Sequence, residues 1–407
     1  MSERAQRAIA ECRQIAQMSE EPGRITRRFL TPPVHEVHKF LLSRMESLGM
    51  SAHTDAAGNL HGLWQPPDAH AKRLVLGSHI DTVPDAGAFD GLLGVALALE
   101  WTRLAQELKL PLPIEVIAFS EEEGVRFGVP FLGSRAVAGR FDPALLALKD
   151  ADGTTLEQAI RAFGLDPGKI GDAALDADAL GFVEIHIEQG PVLESEGLSV
   201  AAVTAVVGQT RLTAEFTGHA NHSGTTPMRL RRDALAGAAE WVSAVEAIAL
   251  ETQGLIATVG KIDVEPNAAN VIAGVARVSL DVRHADDASR KAAVESLVAQ
   301  AQSIADKRGL TLQIARQMDQ PAVPMDERLT AYLADAIAAA GLPEKLMTSG
   351  AGHDAMVMAA RVPTTILFLR SPGGISHHPN ESVLEEDVEA ALSLGHRFLQ
   401  RLATEVG

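Results

Sequence analysis

Four short stretches of the sequence gather imidazoles and carboxylates with no thiol among them. They are "GSHIDTVPDAGAFDG" (residues 77–91), "SEEEG" (120–124), "EIHIEQG" (184–190) and "GGISHHPNE" (373–381). In the first, His79 and Asp81 alternate at the end of an apolar run, so both point the same way and Asp81 can orient the ring. Asp90 stands just before a helical stretch, with Gly91 beside it to allow a close approach; the plainer alternative is a helix N-cap. In the second, Glu121, Glu122 and Glu123 repel one another unless positive charge compensates them. In the third, Glu184 and Glu188 share the face of His186 if the strand is regular. In the fourth, His377 and His378 lie in a Gly/Pro-rich loop. Imidazoles with carboxylates favour zinc or a related divalent ion such as manganese, cobalt or nickel. Three histidines, a bridging aspartate and a glutamate admit two ions about 3.5–4 Å apart, able to lower the pKa of a water toward ~7. One glutamate of the run is then a ligand, and another a base that returns the proton to a leaving amine.

Positioning such a site requires strands whose carboxyl ends meet. "RLVLGSH" (73–79), "IEVIAFS" (114–120) and "FVEIHIEQG" (182–190) read as strands, and residues 91–108 as a buried helix. Strand, helix, strand is the order of an α/β sheet with parallel neighbours, whose ligands collect beyond the strands' carboxyl ends. After Pro32 and Pro33, apolar residues recur at helical spacing until Gly49, where a helix would end. From Gln209 the pattern changes to strand ("RLTAEFTG"), helix (232–249), strands ("GLIATVGKI", "GVARVSLDVR"), helix (288–307) and strand ("LTLQIAR"). That is a ferredoxin-like α+β unit. Past Pro321 the α/β alternation returns, with "VPTTILFL" as a strand and 385–404 as a helix. The expected plan is an α/β domain of residues 1–208 and 321–407 interrupted by an α+β domain, 209–320.

Taken together, the motifs resemble the hydantoinase/carbamoylase branch of the dinuclear metallo-amidohydrolases, relatives of aminoacylases and zinc carboxypeptidases. The resemblance spans nearly the whole chain and rests on "GSHIDTVPDAGAFDG", "EEGVRF", "EIHIEQGPVLE", "NHSGTTPM", "PNAANVI", "SGAGHDAM" and "GISHHPNE", in family order. It implies a metallopeptidase-like catalytic domain with a mixed, largely parallel sheet and an inserted lid and dimerisation domain. It implies that His79, Asp90 and His186 hold one metal, and Asp90, Glu123 and His377 the other. The Glu-Glu-Gly register makes Glu122 the base, leaving Glu121 solvated or behind the ligands, while Asp81 orients His79. From the inserted domain it implies His222 as the group polarising the scissile carbonyl across a homodimer. Asn270 and Arg283, with Gln209, then bind substrate; a guanidinium suits a carboxylate. His353 and Asp354 are equally a helix cap or support for the ligands. Ala86 and Ala273 depart from the family's glycine and proline at those places, which bears on loop shape.

The implied reaction is hydrolysis of the ureido C–N bond of an N-carbamoyl-L-amino acid or allantoate, with release of ammonia and carbon dioxide. A dipeptidase or aminoacylase with the same two metals is the alternative. A non-catalytic binding protein would be expected to lack Glu122, and a phosphoesterase to carry more cationic groups. The formal charge of −17 argues against a nucleic-acid groove or an anionic membrane as partner. The single cysteine, Cys12, permits no intrachain disulfide, and no run of about 18 apolar residues offers a membrane span, so a cytoplasmic protein is expected. The remaining histidines (His35, His38, His53, His61, His70, His219, His284, His396) are expected to be ordinary solvated or hydrogen-bonded side chains.

Overall fold

The computed structural model describes residues 3–67 and 72–406, so His70 lies outside the described residues. The chain divides into two compact units, Met1–Thr204 with Met325–Gly407, and Ala205–Pro324. The smaller unit is thus four residues wider at each end than the 209–320 segment.

In the larger unit one sheet runs in the order Ser51–Thr54, Leu60–Trp64, Ile114–Phe119, Leu74–His79, Gly181–Ile187, Thr364–Leu369, Val200–Val206. The middle four strands are mutually parallel, and the flanking pairs are antiparallel. These four are buried at every residue. Such uninterrupted apolar runs are what a parallel strand covered on both faces requires. The Leu92–Glu107 helix supplies much of that cover and is buried continuously from Leu92 to Thr102. The Pro32–Ser47 helix ends just before Gly49, whose φ is +66°. Parallel strands share a carboxyl edge, so the residues that follow Phe119, His79, His186 and Leu369 emerge on one side of the sheet.

The smaller unit has an antiparallel sheet in the order Ile262–Glu265, Val275–His284, Gly208–Thr217, Thr311–Gln320, with the Ala234–Glu251 and Asp287–Arg308 helices packed on it. Numbered by sequence this is 2-3-1-4, the ferredoxin-like order. The "GLIATVGKI" stretch is not one strand. It breaks at Gly260 into Ile256–Thr258 and Ile262–Glu265, each pairing separately with Val275–His284. At the boundary, Met325 N–H donates to Thr204 O at 2.9 Å, so the chain leaves and re-enters the larger unit at one point. Among the described residues, no helix is long and apolar enough to cross a membrane.

Candidate metal and active site

The carboxyl edge of the parallel strands collects all four stretches. His79 Nε2 lies 3.3 Å from His186 Nε2, and Asp90 Oδ1 lies 3.6 and 3.2 Å from the two nitrogens. On the other side Asp90 Oδ2 is 3.1 Å from His377 Nε2, which is 3.2 Å from Glu123 Oε1. Asp90 is therefore common to both groups of donors, and its position at the mouth of the following helix is not an N-cap. That helix is preceded by Gly91, and no side chain caps it. Gly91 has φ +67°, and a Cβ there would sit 2.5 Å from His79 O and 2.6 Å from its ring, so only glycine lets Asp90 come this close.

The donor chemistry fits a cation. His79 Nδ1 is 3.0 Å from Asp81 O and His186 Nδ1 is 2.8 Å from Ile187 O. A carbonyl can only accept, so each Nδ1 carries its proton and each ring turns its Nε2 toward the other. Against burial, nearby carboxylates (Asp81 and Asp90 for His79, Asp90 for His186) raise both imidazoles. Asp90 Oδ1, buried and without a hydrogen-bond partner, faces the same point. A carboxylate oxygen and two imidazole nitrogens converging on one spot ask for positive charge. His377 shows the same demand: hydrogen bonds to Asp90 and then Glu123 push its imidazole up to about 10.

Asp81 does more than orient a ring. Its carboxylate, 3.5 Å from His79 Nδ1, accepts the backbone N–H groups of Glu122 (3.0 Å) and Glu123 (3.1 Å). It therefore shapes the turn that separates the two glutamates, and Gly124, at φ +69°, completes that turn. A Cβ at Gly124 would lie 2.7 Å from Pro130 N. Glu122 and Glu123 both have oxygens within reach of His79. Burial, with Glu123, Asp354 and Asp81 nearby, holds the Glu122 carboxyl well above the usual range, against the pull of His79.

Glu121 is not solvated: it is 0% exposed. Burial and the adjacent Asp81 carboxylate push its carboxyl well above the normal range. Glu188 does not join His186; it accepts the N–H groups of Val192 (2.7 Å) and Leu193 (2.9 Å) at the start of a short helix. Glu184 stays on the His186 side, accepting from Ala355 N (2.7 Å) and Ser78 Oγ (3.3 Å). His353 makes no capping bond. Its ring packs 4.6 Å from that of His186 and its Nε2 is 2.8 Å from Ser349 Oγ.

Two residues were not singled out by sequence. Gln189 Nε2 donates to Asp90 Oδ2 at 3.1 Å and is 3.2 Å from His377 Nε2. Glu381 accepts the N–H groups of Phe89 (2.9 Å) and Asp90 (3.0 Å), and Ser376 Oγ at 3.2 Å, tying the two outer loops together. Both Gln189 and His377 adopt left-handed backbone, at φ +59° and +55°, a strain that tends to mark working residues. Glu381 was legible in the Ser-His-x-Pro-x-Glu pattern; Gln189 carried no separate signal. Behind the glutamate run, Asn59 accepts the Ser120 N–H at 3.0 Å and donates to Asp55 at 2.7 Å. His61 sits buried between Asp55 (3.1 Å) and Glu115 (2.9 Å). Burial opposes its charge, but these hydrogen bonds push its imidazole up to about 9.

In the smaller unit the four candidates form two pairs. His222 and Asn270 are exposed on the two-stranded ribbon Asn221–His222 with Val271–Ile272, where Ser223 N–H donates to Asn270 O at 3.0 Å. Gln209 and Arg283 face each other across the sheet. Both bind Asp281: Arg283 through Nε (2.9 Å) and Nη2 (3.2 Å), Gln209 through Nε2 (2.5 Å). Arg283 is thus half-buried and paired rather than a loose surface side chain.

Residues 75–401 match peptidase family M20/M25/M40. The allantoate deiminase of Arabidopsis thaliana is 37% identical over 94% of this chain and 80% of its own length. The N-carbamoyl-L-amino acid amidohydrolase of Geobacillus stearothermophilus is 34% identical, with 96% of each chain covered. A crystal structure of a hydantoinase/carbamoylase family amidase from Burkholderia ambifaria superposes with a TM-score of 0.91 at 32% identity, over 99% of this chain and 98% of that one. Matched in sequence and in fold over nearly its whole length, the chain belongs to peptidase family M20/M25/M40, in the branch of the hydantoinase/carbamoylase amidases.

Proposed function

We propose that this protein hydrolyses the ureido C–N bond of a small carboxylate-bearing substrate, allantoate or an N-carbamoyl-L-amino acid. Water adds to the carbamoyl carbon, a C–N bond breaks, and the one-carbon fragment leaves as ammonia and carbon dioxide. The observation that carries this reading is the Asp90 carboxylate shared between two groups of imidazole and carboxylate side chains, with Glu122 beside them. His79, Asp90 and His186 would hold one divalent cation and Asp90, Glu123 and His377 a second, as zinc, manganese, cobalt or nickel. When bound, such ions polarise a carbonyl and acidify water. Glu122 takes the proton of the attacking water and delivers it to the leaving nitrogen. Asp81 holds the Glu122 and Glu123 backbones in the register that gives them different tasks. His222 donates to the oxygen on which negative charge develops. Arg283, Asn270 and Gln209 hold the substrate carboxylate.

The arrangement within the smaller unit supports a homodimer. His222 and Asn270 lie near the Thr217–Val275 end of the sheet, and Gln209 and Arg283 at the opposite end. Eight steps of strand (217 − 209) separate them, or about 26 Å, far more than a small ureido acid spans. One substrate meets both pairs only if they come from two chains. Among the described residues, seven of the ten exposed large hydrophobic ones, Met228, Leu230 and Leu250 among them, lie in this unit and offer the contact surface.

The test is a panel of allantoate, N-carbamoyl-β-alanine, several N-carbamoyl-L-amino acids and an N-acetyl-L-amino acid, assayed with each of the four metals. Ammonia release from a ureido compound, with the acetyl compound inert, is the expected outcome. Preferred cleavage of the acetyl compound would instead make this an aminoacylase.

A further inference from the structure

His222 is exposed, so packing does not fix its ring. Its own turn does. Gly224 N–H donates to His222 Nδ1 at 3.0 Å. A nitrogen that accepts carries no proton, so the neutral ring is held with its proton on Nε2, the end turned away from the backbone. The N–H is in place because the 222–226 turn is closed, with Thr226 N and Oγ1 reaching His222 O at 3.3 and 3.0 Å. Gly224 is also what the ring needs beneath it, since a Cβ there would lie 3.2 Å from His222 Cε1.

The turn is gripped from outside by one side chain. Arg231, just past the short Met228–Leu230 helical turn, reaches back and donates from Nε to Thr226 O (3.1 Å) and from Nη2 to Ser223 O (2.5 Å). Two carbonyls flanking Gly224 are thus held by one rigid plane. A lysine, whose three donors sit on one nitrogen at the end of a flexible stem, lacks the rigid fork that spans both carbonyls.

We infer that Arg231 is a positioning residue for His222: by clasping the Ser223 and Thr226 carbonyls, it locks the imidazole as the Nε2–H tautomer. The inference rests on the proposed role of His222 as a donor to developing negative charge. That role needs a proton on the outward nitrogen, which a freely turning neutral imidazole offers only part of the time. The Gly224 hydrogen bond makes the proton permanent there, and Arg231 makes the hydrogen bond permanent.

The test uses the full-length, metal-loaded protein with 15N-labelled histidine, at about pH 8.5, two units above an ordinary imidazole pKa. The His222 signals are identified by their loss in His222→Gln. The wild type should show one bare and one protonated ring nitrogen. Arg231→Gln should show both nitrogens averaged toward intermediate positions, and kcat down about tenfold with KM changed less than twofold, because donation to the transition state is lost and ground-state binding is not. Arg231→Lys should fall between, and decides the question if the glutamine variant does not fold. An unchanged tautomer pattern in these variants overturns the inference, whether or not kcat falls. Wild-type turnover in His222→Gln would instead sink the role of His222, while the nitrogen signals would still judge the clasp.

Discussion

The two units hold their candidate residues in opposite ways. In the larger one His79, Asp90, His186 and Glu122 are buried; backbone carbonyls fix the two imidazoles, and the Asp81 and Glu381 carboxylates hold the backbones of Glu122 and Asp90. In the smaller one His222 and Asn270 are exposed, held by a turn that Arg231 clasps and by a two-residue ribbon, while Arg283 is engaged with Asp281. Burial suits groups that must converge on charge without rearranging, since each electrostatic contact strengthens as water is excluded. Exposure suits groups that must meet a substrate arriving from solvent. On the proposed function, the difference separates residues that would make the metal centre and its base from residues that would close on the substrate.

The sharpest way to break this division is at its buried side. Glu122→Gln preserves the size of the side chain and every proposed metal ligand, so metal content should match the wild type while turnover falls about a thousandfold or more. Near-normal ammonia release by a fully metallated variant would remove Glu122 as the base. The exposed side is tested by mixing. If His222 serves a partner's site, Glu122→Gln and His222→Gln subunits exchanged one to one should regain about a quarter of wild-type activity. Half the dimers are then mixed, and each mixed dimer has one complete site. No recovery after confirmed exchange would return His222 to its own chain.

A smaller effect lies behind the site. His61 is raised to about 9 by Asp55 and Glu115, and Arg73 (2.8 Å from Glu115) and His53 (stacked at 4.9 Å) share its surroundings. Its folded pKa exceeds the unfolded value of about 6.5, so its stabilising contribution is complete below that pH and disappears as pH rises through 9. The ceiling is about 3 kcal/mol. Urea unfolding of wild type and His61→Gln should differ most near pH 6 and converge by pH 9; a gap that stays constant would rule out the charged pair.

Much of the framework was legible because the relevant signals are local. Parallel strands buried on both faces appear as uninterrupted apolar runs, and Gly91 and Gly124 mark close approaches that no other residue tolerates. The split of residues 254–262 was not legible, since one apolar run looks the same whether it pairs once or twice. The register of the glutamates could not come from alternation either. It depends on Asp81, 41 residues before Glu122, accepting two N–H groups at the turn. Glu121 shows a limit of local reading: with Glu122 and Glu123 assigned to the site it was left solvated or behind the ligands, and the fold buries it completely. Gln189 was invisible because its partners, Asp90 and His377, come from distant parts of the chain.

The hydrogen bond from Met325 to Thr204 bears on how the chain folds. Bringing the ends of a loop of about 120 residues together in an unfolded chain costs about 4 kcal/mol of entropy, beyond a constant. The smaller unit is continuous in sequence, and its own ends are paired, Ala205 with Pro324 and Val206 with Val323. If it forms first, that closure is already made when the larger sheet assembles. The last parallel strand, which carries His377 beyond its end, then docks with only residues 325–363 of the larger unit still to be accommodated before it. A discontinuous domain becomes, for kinetic purposes, nearly a continuous one.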